Sequence, residues 1–201
     1  MIDNIINTIE LALLIILPLI IYFQRMNTGY KTYILYVTAL YLLWFSTYSL
    51  FHELCHIFGS LITGVTINDY QLIPRFWQGD FKNGYVNSVF HNNLQLFISP
   101  VSPYVRDIIC LWIGYIILKR ITILRTFVTG LVLIFFILSP IYDVFNNYFA
   151  FVLGARNDFN GIATAIGRFG AHAIGAGFTL AGIVVLYMTA LPILKRQVAK
   201  V

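Results

Sequence analysis

The stretch Phe51-His52-Glu53-Leu54-Cys55-His56 lies toward the end of an apolar, aromatic run that begins at Tyr33 and continues to about Gly64. As a helix such a run is ~45 Å long, more than the ~30 Å hydrocarbon core of a bilayer, so it is expected to tilt, break or protrude. Its pattern is H-E-x-x-H. A four-residue helical step stacks the His52 and His56 imidazoles on one face, where their nitrogens can grip one metal ion. Glu53, ~100° round the helix from His52, is placed to act on water as a general base rather than as a ligand. Ionisable groups are costly in an apolar helix, and their concentration here reads as a functional site.

The rest of the chain puts this motif in a membrane. Of the 201 residues, 59% are hydrophobic and only 10% charged, and the mean hydropathy is +0.81, a composition outside the range of soluble domains. The net charge of +5 comes from Lys and Arg scattered at the ends of apolar runs. That distribution fits topology anchors and predicts a lipid bilayer, not nucleic acid, as the partner. Cys55 and Cys110 are embedded in apolar segments without C-x-x-C spacing, so neither a disulfide framework nor a cysteine zinc site is expected.

Leu11 to Phe23 predicts a first span retained as an anchor, and the Tyr33 run a second. Thr66 to Asn93 is the most polar segment, and its Leu72 to Trp77 portion suits a strand or loop at the interface or re-entering the membrane. Leu94 to Leu118 carries Pro100, Pro103, Arg106 and Asp107 and predicts a broken third span. A fourth, Thr126 to Phe151, contains Pro140 three residues before Asp143, so a kink is expected beside an intramembrane carboxylate. The last, Phe169 to Leu194, is free of Asp, Glu, Lys and Arg. It is rich in small residues, among them Gly175 and Gly182, that permit close helix packing. The fold class is therefore an all-α polytopic membrane protein of about five transmembrane helices, or six, forming one domain over 1–201.

A catalytic zinc ordinarily takes three protein ligands and keeps a position for water, so the two histidines need a third partner. After the motif the acids are Asp69, Asp80, Asp107, Asp143 and Asp158, with His91 and His172 as further candidates. Asp143 is the first choice, because an unpaired carboxylate inside a span is the hardest to tolerate without a cation. Pairing with Arg106 is its competing explanation. Asp158 is the alternative third ligand, on a loop before a small helix that can fold back onto the motif. Asn146 and Asn147, one helical turn beyond Asp143, are candidates for hydrogen-bonding a substrate backbone or supporting the site.

An H-E-x-x-H in an early span, followed by Tyr142-Asp143-Val144-Phe145-Asn146 and then Asn157-Asp158, resembles the site-2 protease family of intramembrane zinc metalloproteases, in its small divergent branch. The resemblance covers His52 to Asp158, about half the chain. It implies His52 and His56 as zinc ligands, Glu53 as general base and acid, Asp143 as third ligand, and a transmembrane protein as substrate. The better-known branch has Gly after its aspartate where this chain has Val144, which leaves Asp143 and Asp158 both open. Two other readings compete with a hydrolase: a zinc-binding membrane regulator without activity, and an ion-coupled transporter using the same intramembrane groups.

Overall fold

In a computed structural model of the chain, residues 28–75, 84–120 and 126–198 are described. The run around the motif forms one uninterrupted helix, α1 (Thr28–Ile62). Gly64, at φ 69, ends it by supplying the left-handed residue that lets Val65 N–H bond the Ser60 carbonyl at 2.8 Å and Gly64 N–H the Leu61 carbonyl at 3.2 Å. An antiparallel hairpin of β1 (Thr66–Gln71) and β2 (Tyr85–Val89) follows. Then come α2 (Asn93–Arg120), α3 (Thr126–Val132), a π-helical stretch (Leu133–Leu138), α4 (Ser139–Val152), α5 (Asp158–Ile166) and α6 (Arg168–Val198).

Among the described residues three helices are long and apolar enough to cross a bilayer: Asn93–Arg120, Phe127–Val152 and Arg168–Thr189. These coincide with the third, fourth and last expected spans. The expected first span, Leu11 to Phe23, lies outside the described residues. The strand, by contrast, falls at Thr66–Gln71; Leu72 to Arg75 are irregular and Phe76 and Trp77 lie outside the described residues. The alternation Thr66-Ile67 through Tyr70-Gln71 pairs with the β-prone Tyr85–Val89, and Pro74 has no N–H to extend that ladder.

The third span is not broken. Pro100 and Pro103 both sit inside the continuous helix α2. Each proline removes one helical bond, freeing the carbonyls of Leu96 and Ser99 four residues earlier. The Ser99 carbonyl acquires a donor from another helix instead, His56 Nδ1 at 2.9 Å, so the chain need not unwind to satisfy it. Just before Pro140 the helix is π-helical, closed by Ser139 N–H bonding the Ile134 carbonyl five residues back.

The core gathers Tyr104, Val144, Phe151, Phe159, Ile162 and Ala171, contributed by α2, α4, α5 and α6. The small residues of α6 work as the sequence suggests at two points. A side chain on Gly175 would collide with the Tyr148 ring, and one on Gly182 would stand 2.9 Å from Ile141 Cγ1. The short helix α5 is seated on α2 in the same manner, a Cβ on Gly161 falling 2.9 Å from Pro100 Cγ. Gly161→Val is therefore expected to cost about 1–3 kcal/mol by overpacking. Thermal unfolding in detergent should show a lowered Tm; an unchanged Tm would mean that α5 is not seated on Pro100.

Candidate metal centre

His52 and His56 follow one another by a helical turn on the inward face of α1, both buried, and their Nε2 atoms converge to 3.1 Å. The outer nitrogens are engaged from behind. His52 Nδ1–H donates to Asp143 Oδ2 at 2.8 Å, and His56 Nδ1–H donates to the Ser99 carbonyl at 2.9 Å. With the tautomers assigned from these bonds, each imidazole carries its proton on Nδ1 and turns the Nε2 lone pair inward, as a metal-binding histidine does. Ser60 Oγ and Ser99 Oγ, 2.9 Å apart, tie α1 to α2 at the same level.

Asp158 completes the group. One of its carboxylate oxygens is 3.2 Å from His52 Nε2 and the other 3.3 Å from His56 Nε2. Its position is set by the start of α5, where Asn157 is the N-cap: its Oδ1 accepts from Phe159 N–H, while Asn160 Oδ1 accepts from Asn157 N–H. Asn157 Nδ2 also donates to the Asn147 carbonyl at 2.6 Å, which pins that cap to α4. Tyr104 hydroxyl donates to Asp158 Oδ2 at 3.0 Å and fixes the carboxylate's rotation.

Two nitrogen lone pairs and a carboxylate therefore face one another at 3.1–3.3 Å. Three acceptors converging without protons between them repel unless a cation lies among them. The edge of a tetrahedral zinc site with ~2.0–2.1 Å bonds is ~3.3 Å, so the residues fit a metal ion in both spacing and chemistry. His52, His56 and Asp158 can hold a metal ion.

Asp143, the expected third ligand, stands elsewhere in the arrangement. Fully buried, it accepts from Tyr48 hydroxyl (2.7 Å) and Asn147 Nδ2 (2.9 Å) on Oδ1, and from His52 Nδ1 (2.8 Å) and Arg106 Nη2 (2.7 Å) on Oδ2. Those four bonds use about all the acceptor capacity a carboxylate has. It orients His52 from the far side, and the alternative, Asp158, is the carboxylate that meets both Nε2 atoms. Its pairing with Arg106 exists as well: Arg106 bridges Asp143 and Asp107, 2.6 Å from Asp107 Oδ1.

A cleft of about 450 Å³ opens over the group, with Glu53, Ser49 and the first residues of β2 on its wall. Gly84 anchors that side, its N–H donating to Ser49 Oγ at 2.7 Å. Any side chain there would strike Ser49 and approach Glu53 Cγ to 2.6 Å. Asn146 and Asn147 also line the cleft, but the Asn147 amide is engaged with Asp143, so of the two it supports the site while Asn146 is exposed. His91 and His172 are not in the group. His91 is exposed, and His172 packs against Tyr148 and Phe151.

Tyr48, Ser99 and Tyr104 were not singled out by sequence. Tyr48 carried a signal, standing one helical turn before His52 on the same face; Tyr104 and the Ser99 carbonyl carried none that survives without the packing of α1 on α2. Comparison with protein-family models, with curated proteins and with solved structures finds no match, so the reading of this centre rests on its geometry and chemistry.

Proposed function

We propose that the chain is a multi-pass membrane protein of the cell membrane and a zinc metalloendopeptidase of site-2 protease type, hydrolysing a peptide bond in or near a transmembrane segment of a substrate protein. The observation that carries this reading is the convergence of His52 Nε2, His56 Nε2 and the Asp158 carboxylate in a cleft that also presents Glu53. Those three residues would hold the ion, and zinc, when bound, supplies a Lewis acid that acidifies water and polarises a carbonyl. Zinc is favoured over other divalent ions by a donor set of two imidazoles and a carboxylate with a place left for water.

The protein's own groups then do the following. Glu53 takes a proton from the water that adds to the scissile carbonyl carbon and passes it to the departing amide nitrogen. Asp143 and the Ser99 carbonyl keep the Nδ1 protons in place throughout, so that the histidines neither rotate nor change tautomer. The polar cleft admits water to a centre otherwise enclosed by helices. A substrate helix hides its carbonyls in internal hydrogen bonds and must open locally to be cut. Since β2 lines the cleft and belongs to a two-stranded sheet among the described residues, its free edge suits an extended substrate segment held by strand addition.

Chelation tests the reading. Dialysis of purified protein against a strong chelator is expected to abolish cleavage of a transmembrane reporter, and stoichiometric zinc to restore it. Cleavage that survives complete metal removal would exclude a metalloprotease. Tightly bound zinc in a protein that cleaves no reporter would favour the zinc-binding regulator, and uptake of an ion by proteoliposomes the transporter.

A further inference from the structure

The charges around the cleft are unevenly distributed. Among the described residues its acidic lining consists of Glu53 and of Asp158 of the metal group, and the polar residues beside them, among them Ser49, Asn146 and Asn157, are neutral. Among the described residues Arg156 is the one Lys or Arg on the wall. It is exposed and, unlike Arg106, which is held by Asp107 and Asp143, its side chain has no ion pair or hydrogen bond among the described residues. Its backbone is not free to drift. It lies between the Gly154 turn, at φ 83, and Asn157, which is fastened to α4 through the Asn147 carbonyl.

A divalent ion at His52, His56 and Asp158 would balance the charges of Glu53 and Asp158, leaving the guanidinium as the net charge of the described lining residues. A guanidinium is a forked donor matched to a carboxylate. We infer that Arg156 is a specificity-determining residue, forming a subsite for an acidic side chain of the substrate. An extended chain advances ~3.3 Å per residue, and Arg156 precedes Asp158 by two positions. The acidic residue is thus placed within about three residues of the scissile bond. The choice of a peptide as ligand rests on the metalloprotease reading; the electrostatics of the cleft does not.

Binding separates the two. The probes are fluorescent apolar peptides identical but for one Glu, Gln or Lys, titrated onto zinc-loaded full-length Glu53→Gln protein in nanodiscs of zwitterionic lipid. The Glu peptide is expected to bind about fivefold or more tightly than the Gln peptide, and the Lys peptide most weakly. Adding Arg156→Glu to that protein should remove the advantage of the Glu peptide and raise the affinity of the Lys peptide, a gain that a misfolded variant cannot produce. Equal affinities, no binding of any peptide, or an order unaltered by Arg156→Glu would overturn the inference. So would a preference that follows the anionic lipid content of the nanodisc rather than peptide charge, which would assign Arg156 to a headgroup. Wild-type protein given the same peptides reports on hydrolysis separately: charge-selective binding without any cleavage would remove the protease and leave the subsite.

Discussion

Asp158→Ala is expected to empty the metal centre, taking zinc from near-stoichiometric to background in purified protein, whereas Asp143→Asn should retain zinc with affinity lowered about 10–100-fold. The difference follows from where each carboxylate points. Asp158 meets both Nε2 atoms at 3.2 and 3.3 Å, and its loss removes one of three donors and the negative charge that balances the ion. Asp143 meets His52 only at Nδ1, 2.8 Å away. Its loss leaves the donors in place but unfastens one imidazole and strands Arg106, which retains Asp107 as a partner. Metal analysis of the two proteins beside wild type, with a competing chelator to rank affinities, distinguishes them. Zinc lost from the Asp143 variant and kept by the Asp158 variant would return the third-ligand role to Asp143.

Glu53→Gln should lower cleavage of a transmembrane reporter by about 10²–10⁴-fold with zinc content unchanged. Glutamine keeps the size and shape of the side chain but cannot take up a proton as a carboxylate does, so the substitution isolates proton transfer from packing. Glu53 is only 6% exposed and is crowded by Gly84, which makes the near-isosteric change preferable to alanine. It does not enter the group of His52, His56 and Asp158 that can hold the ion, and metal retention is the control. Undiminished cleavage by Glu53→Gln would sink the role of Glu53 as general base.

Much of the fold could be read from local pattern. The third, fourth and last apolar runs are helices long enough to cross a bilayer, because a continuous apolar stretch satisfies its own backbone only as a helix. The polar, β-prone interruption was legible, with a strand or loop expected at Leu72 to Trp77, but neither the hairpin nor the position of its strands was. Strand ends depend on pairing, and Thr66–Gln71 is chosen by its antiparallel partner Tyr85–Val89, not by its own composition. The prolines misled in a more instructive way. Pro100 and Pro103 announce lost helical bonds, yet α2 continues through both, since the freed Ser99 carbonyl is taken by His56 Nδ1. What looked like a fault in one helix is half of a contact between two.

The same division runs through the site. Sequence by itself determined the His52, Glu53 and His56 constellation, because a four-residue step on one helix places two imidazoles together wherever that helix packs. Only the tertiary structure decided which carboxylate joins them. Asp143 and Asp158 lie 91 and 106 residues from His52, and both reach it, one at each ring nitrogen. Their roles are separated by the docking of α4 behind the imidazole and the seating of α5, through Gly161 on Pro100 and Asn157 on Asn147, in front of it. No spacing along the chain encodes that choice, because it is made by which helix face meets which, and the contacts that make it are long-range.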